Sequence, residues 1–227
     1  MTVILLAAIG LAAGRPAAAL EPGKRLSQYV IDTWQTEQGL PQNTVQAVLR
    51  GSDGYLWLGT QEGLVRFDGA RFTTYDRRNT PELRHNSILS LAEAPDGTLW
   101  AGTNGGGILC RRRDGTFSRI GAEEGLESLV TWSIAFDAAG DAWVGGDGNG
   151  VQRISGRRAN LRVGAAEGLP VDQVRVVAFD PTGALWIGTT GRGAAVYRNG
   201  RVERVWGEDV LGSGLVRALA PDPSGGV

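Results

Sequence analysis

Asp53-Gly54-Tyr55-Leu56-Trp57-Leu58-Gly59-Thr60 returns as Asp96-Gly-Thr-Leu-Trp-Ala-Gly-Thr103, as Ala139-Gly-Asp-Ala-Trp-Val-Gly-Gly146 and as Thr182-Gly-Ala-Leu-Trp-Ile-Gly-Thr189. The tryptophans Trp57, Trp100, Trp143 and Trp186 are each 43 residues apart. Other marks keep the same step. Gly39-Leu40-Pro41, Gly125-Leu126 and Gly168-Leu169-Pro170 lie between the Trp motifs, and apolar stretches start at Val45, Ile88, Thr131, Val174 and Val216. A period of about 40 to 50 residues is the mark of a solenoid or a propeller.

The content of one repeat chooses between them. Val45–Leu49, Tyr55–Leu58, Leu64–Phe67 and Arg71–Tyr75 are short strand patterns separated by Ser52-Asp-Gly54, Gln61-Glu-Gly63 and Asp68-Gly69. Gly-bearing turns between short alternating runs predict hairpins. Four antiparallel strands per repeat make a propeller blade, and no segment has the length or amphipathic period of a helical repeat. The fold class is therefore all-β, a β-propeller with four-stranded antiparallel blades at 45–75, 88–120, 131–163 and 174–205. Trp57, Trp100, Trp143 and Trp186 fall on the central second strand and are expected in the structural core. An indole can bury on the order of 200 Å² there. Gly59, Gly102, Gly145 and Gly188, two residues on, mark a close approach of another backbone. Trp34, Trp132 and Trp206 lie off this ladder and are the better candidates for an aromatic sugar platform.

Two features predict an incomplete propeller. A fifth blade begins at Leu215-Val-Arg-Ala-Leu219 and reaches the turn Asp222-Pro-Ser-Gly225, but its Trp would follow Val227. Ile31-Asp-Thr-Trp34 reads as an outer strand without a blade of its own. Residues 20–44 are read as this strand and a lead-in loop, and 45–227 as about four blades plus one strand. Val3–Ala13 is an apolar run followed by Ala17-Ala18-Ala19, a small-residue cleavage site, so residues 1–19 read as a secretory signal peptide. The run is too short to span a bilayer.

Composition excludes several functions. The net charge is -1, which gives no footprint for nucleic acid. His85 and Cys110 are the only residues of their kinds. They allow no disulfide within the chain, and the sequence lacks the ligands of a zinc site. No catalytic residues, cofactor or metal are expected. Asn104-Gly-Gly-Gly107 and Gly145-Gly-Asp-Gly-Asn-Gly150 lack the following helix of a phosphate loop and read as hairpin turns. Glu123-Glu124 is a loop pair, and Arg111-Arg-Arg113 reads as a solvated strand edge. The loops after strand two and those entering each inner strand should meet on one face. They carry the candidate ligand-binding residues Asn43, Gln61, Glu62, Asn86, Asn104, Asp147, Asn149 and Arg192, with Gln42, Asp172 and Gln173 nearby. A ring of amides suits a small polar neutral ligand or an oligosaccharide.

Trp34-Gln-Thr-Glu-Gln-Gly-Leu-Pro-Gln-Asn-Thr-Val45, the motif Asp53–Gly69 and Phe72 resemble the two-component regulator propeller repeat, and the resemblance runs over residues 28–227. The third repeat departs from it at Ala139 and Gly146. The resemblance implies a seven-bladed propeller that forms the periplasmic sensor of a membrane-anchored histidine kinase or diguanylate cyclase. On that reading the chain is an N-terminal fragment whose partners are its missing blades and a membrane-bound output domain, with a homodimer as a further expectation and no enzyme activity of its own. The competing readings are an enzyme similar to the propeller lyases of cyclic antibiotics, for which only His85 is available, and a protein-interaction scaffold. Open blade faces and strand edges predict poor solubility or self-association.

Overall fold

The computed structural model describes residues 25, 32–223 and 226–227. The signal-peptide segment lies outside the described residues. The chain divides into residues 1–33 and 34–227. In the first unit Arg25, Asp32 and Thr33 are described, and they are exposed and outside any strand. The second unit carries everything that follows.

Four four-stranded antiparallel sheets follow one another. Blade one is β1 (Val45–Arg50), β2 (Leu56–Thr60), β3 (Gly63–Phe67) and β4 (Phe72–Tyr75). Blade two is β5 (Ile88–Glu93), β6 (Leu99–Thr103), β7 (Ile108–Arg111) and β8 (Phe117–Ile120). Blade three is β9 (Thr131–Phe136), β10 (Ala142–Gly146), β11 (Val151–Ser155) and β12 (Arg158–Val163). Blade four is β13 (Val174–Phe179), β14 (Leu185–Thr189), β15 (Ala194–Arg198) and β16 (Arg201–Trp206), followed by the single-turn helix α1 (Glu208–Leu211). Strand order within each sheet is sequential, as expected of propeller blades. The first strands β1, β5, β9 and β13 lie beside one another and form the inner ring. Ser90 Oγ donates to the Thr131 carbonyl at 3.1 Å, and Val177 N–H donates to Ser133 Oγ at 3.1 Å, which ties that ring together.

The core lies between blades. Trp57 and Leu64 of blade one meet Ile88, Leu99 and Leu109 of blade two. Trp100 and Ile108 meet Ile134, Val144 and Ile154. Trp143 and Val151 meet Val177, Leu185 and Ile187. Trp57 is 1% and Trp143 6% exposed. Trp100 stands edge-on to Phe136 and Trp143 edge-on to Phe179, at 5.4 and 6.0 Å between ring centroids. Among the described residues no sheet lies across from Trp186 as blade four lies across from Trp143. Trp186 is half-buried and stacks on Trp206 at 5.0 Å instead. The Trp indoles are also pinned by carboxylates: Trp143 and Trp186 Nε1 donate to Asp137 and Asp180 at 2.9 Å, and Trp57 to Asp53 at 3.2 Å.

The links between blades were only partly legible. Short 3₁₀ turns at Thr36–Gln38, Ala122–Glu124 and Ala165–Glu167 precede Gly39, Gly125 and Gly168. These glycines sit at φ 98°, 86° and 94°, a left-handed region that closes the turn at little cost only for glycine. Each turn then drops a leucine onto the next blade. Leu40 packs on Leu58 and Val65, Leu126 on Ile134 and Val144, and Leu169 on Val177 and Leu185.

Two expected strands do not form among the described residues. Residues 32–34 form no strand, and Trp34 instead stands edge-on to Phe67 at 5.0 Å. Leu215–Leu219 also forms none, because no described strand pairs along it. It still begins as an inner strand would. Val216 N–H donates to the Thr189 carbonyl at 2.9 Å, and Val216 presses on Gly188 as Val174 presses on Gly145.

Asp180 gives this packing a pH signature. Burial favours its neutral form, yet donors from Thr182 Oγ1 and N–H, Trp186 Nε1 and Ala184 N–H outweigh that and hold the carboxyl at about 2. The folded value lies below the unfolded one of about 3.9. Its stabilisation is therefore complete above about pH 4 and is lost as pH falls toward 2. Asp180→Asn should lower the thermal midpoint by several degrees at pH 7, with the gap from wild type closing on acidification toward pH 2. A gap that does not depend on pH would refute the assignment.

Candidate functional site

The loops between second and third strands are clamped from beneath. Thr60, Thr103 and Thr189 close the Trp-x-Gly-Thr motif and are fully buried. Their Oγ1 atoms donate to the carbonyls of Gly63, Gly107 and Gly193 at 2.9, 2.7 and 2.8 Å. They also accept the N–H of Glu62, Gly106 and Arg192. Each such hydrogen bond contributes about 1 kcal/mol. Blade three has Gly146 in this place, and the structure gives the reason. A Cβ there would lie 2.2 Å from the Val130 carbonyl oxygen, so no side chain fits without moving the link.

The same loops are bonded to the links on either side. Asn104 N–H reaches the Ser87 carbonyl, and Gly107 N–H reaches that of Leu129. Gly150 N–H reaches Asp172, Gly193 N–H reaches Gly214, and Thr190 N–H reaches Gln173. The loops and links thus form one hydrogen-bonded rim on a single face of the blades.

Most of the polar residues singled out from sequence hold this rim together. Asn43 Oδ1 caps Thr36 N–H at 3.0 Å, and Gln61 Oε1 accepts the amide of Gln42 at 3.0 Å. Asn86 Oδ1 accepts Arg77 N–H at 3.0 Å. Asp147 accepts the Gln173 amide at 3.0 Å, and Gln173 Oε1 accepts Thr190 Oγ1 at 3.0 Å, so one chain of bonds joins blades three and four. Asp172 pairs with Arg162 at 3.0 Å. Four of the eight candidates keep side chains without a hydrogen bond among the described residues: Glu62, Asn104, Asn149 and Arg192. Glu62 faces Arg78 across a polar cleft of about 650 Å³ that also contains Gln42 and Asp76.

The remaining chemistry-bearing residues are structural. Burial pushes the Cys110 thiol up to about 12, so it is no nucleophile at neutral pH. His85 Nδ1 accepts Ser87 N–H at 3.1 Å. Of the Arg111–Arg113 triplet, Arg112 and Arg113 are exposed as a solvated edge would be, and Arg111 is not. The Arg111 side chain is only 14% exposed, stacks over Trp57 at 5.0 Å and faces Asp53. Arg113 donates to Ser52, which bonds Glu93 of the next blade. Arginine prefers this site because a flat, weakly hydrated guanidinium can lie on an indole.

The geometry defines a β-propeller repeat domain with a loop rim on one face. The two component regulator propeller model matches three segments of the chain, residues 39–62, 82–105 and 168–191. A segment of 56 residues is 39% identical to Histidine kinase P4 of Formosa agariphila, covering 25% of this chain and 4% of that protein. The extracellular domain of a hybrid two component system from B. thetaiotaomicron superposes with a TM-score of 0.71 at 22% identity, over 78% of this chain and 26% of that one. Virginiamycin B lyase from Staphylococcus aureus superposes with a TM-score of 0.55 at 16% identity, over 70% of this chain and 54% of the lyase. At these identities the structural likenesses show the fold. The chain spans about a quarter of the B. thetaiotaomicron domain and a small fraction of the kinase. The chain is a β-propeller domain, and three of its segments match the two component regulator propeller model. No helix among the described residues is long and apolar enough to cross a membrane.

Proposed function

We propose that this chain is the ligand-sensing part of an extracytoplasmic propeller in a two-component-type signalling protein, exported by residues 1–19. Its output module, a histidine kinase or diguanylate cyclase, would lie outside these residues. The observation that carries the reading is the threefold match to the regulator propeller repeat on blades whose loops form one continuous rim. The domain senses rather than catalyses. His85 is the only imidazole, its Nδ1 is engaged by backbone, and no acid–base partner is bonded to it among the described residues. The lyase reading asks for an active-site histidine that this arrangement does not supply. Further blades would cover the outer faces of blades one and four, where Val48 and Trp34 on one side and Trp186 and Trp206 on the other meet solvent.

Fusion of residues 1–227 to a leaderless β-lactamase tests the location. Ampicillin resistance that is lost when residues 1–19 are removed is the expected result. Equal resistance without them, or none with them, would overturn it.

A further inference from the structure

All four inner strands carry the same irregularity at their second residue. Pairing runs Val45 with Thr60 and then Ala47 with Gly59, and Ile88 with Thr103 and then Ser90 with Gly102. It runs Thr131 with Gly146 and then Ser133 with Gly145, and Val174 with Thr189 and then Val176 with Gly188. Gln46, Leu89, Trp132 and Arg175 are left over as bulge residues. A bulge twists its strand and re-aims the extra side chain, and recurrence at one ring position is a designed feature. These positions lie where each inner strand leaves the loop rim. Bulge side chains also reach around the ring. Gln46 Oε1 accepts Ser87 Oγ beside the next inner strand, and the Arg175 guanidinium lies 5.3 Å over the Trp132 indole.

The next member of the series is another arginine. Val216 holds the place of Val174 against the preceding blade, so Arg217 aligns with Arg175. Arg192 lies on the adjoining loop, its backbone N 3.3 Å from where a Cβ on Gly214 would sit. Arg175, Arg192 and Arg217 are exposed, and none forms an ion pair among the described residues. Two rim carboxylates are committed elsewhere, Asp172 to Arg162 and Asp147 to Gln173.

We propose that the inner rim at blades three and four, built on Trp132, Arg175, Arg192 and Arg217, binds an acidic saccharide through its carboxylate. A guanidinium seated on an indole is held flat and keeps its N–H edge free, the shape that pairs bidentately with a carboxylate. The indole beside it suits the apolar face of a sugar ring. With most rim amides engaged internally, the free donors here besides the Asn149 amide are cationic, so the preferred ligand is anionic and not the neutral one that the ring of amides suggested. This inference rests on the ligand-sensing reading and names its ligand class.

Calorimetric titration of the 227-residue chain with trigalacturonate, galactotriose and sulfate tests it. Trigalacturonate should bind, galactotriose and sulfate should bind at least tenfold more weakly, and Arg175→Gln should weaken trigalacturonate at least tenfold. Arg175 is exposed, so its variant should keep the wild-type circular dichroism, and Arg217→Gln gives an independent second test. Equal binding of galactotriose, or binding unmoved by both substitutions, would overturn the acidic-saccharide site while leaving a sensor in place. No binding of trigalacturonate overturns it too. Failed export in the β-lactamase fusion would remove the extracytoplasmic reading without altering this titration.

Discussion

Trp143→Ala should cost the domain roughly 3–5 kcal/mol, the range for emptying a buried aromatic site, while Trp186→Ala should cost less than about half of that. The two residues hold the same place in their blades and donate to equivalent aspartates at the same distance of 2.9 Å. They differ in what faces them. Trp143 is enclosed by Phe179, Tyr197 and the apolar side chains of blade four. Trp186 opens onto an apolar cleft of about 700 Å³ that it shares with Trp206, Val210, Leu211 and Leu215. Truncation there removes surface that water already reaches, so both the transfer and cavity contributions shrink. Urea unfolding of the two variants measures the difference. Equal losses would mean that the ladder indoles stabilise their own sheets, and the picture of tryptophans wedged between neighbouring blades would fail.

That picture was legible because the largest side chain recurs at one ring position and because glycine turns separate the strands within each blade. Glycine supplies the positive φ at 54, 97, 140 and 183, values of 86°, 80°, 86° and 81°, so the punctuation visible in the sequence is the punctuation of the backbone. What stayed hidden was settled in three dimensions. Nothing in Gln42 or Gln61 announces that they bond to each other across 19 residues. A turn-forming amide and a ligand-binding amide are the same residue type in the same kind of loop. The bulges at 46, 89, 132 and 175 are properties of pairing register, which no single strand encodes. Arg111 read as solvated because a charge beside two others is usually so. Its seat on Trp57 depends on the neighbouring blade. The candidate site therefore changed character between sequence and structure. The amide ring became scaffold, and the free cations beside Trp132 became the more favourable place for a ligand.

Gly145→Ala should destabilise by about 2–3 kcal/mol, as overpacking in a rigid core does, although Gly145 has an ordinary backbone conformation. The reason is distance. A Cβ at 145 would stand 2.5 Å from Val174 Cγ1 and 3.0 Å from the Val174 carbonyl oxygen, inside any real contact. Blade four would have to move away from blade three, and every contact in their shared core would loosen with it. Gly183→Ala makes the same chemical change for an opposite reason. Position 183 has φ 81° and nothing within 4 Å, so its cost is the conformational one of about 1 kcal/mol. The two mechanisms separate in a double-mutant cycle. Val174→Ala removes the Cγ1 that Gly145→Ala meets, so the pair should be more stable than the sum of single losses predicts, by about 1 kcal/mol. Val174→Ala should leave the cost of Gly183→Ala unchanged. Strict additivity at 145 and 174 would show that the blades do not approach as closely as these glycines require. The three other glycines of the series, 59, 102 and 188, meet Ile88, Thr131 and Val216, and Gly102 and Gly188 also meet Ser90 and Val176 of their own sheets. The close approach is thus the spacing rule of the array, and at Gly59, as at Gly145, a substitution should act on the angle between two blades and not on the sheet that contains it.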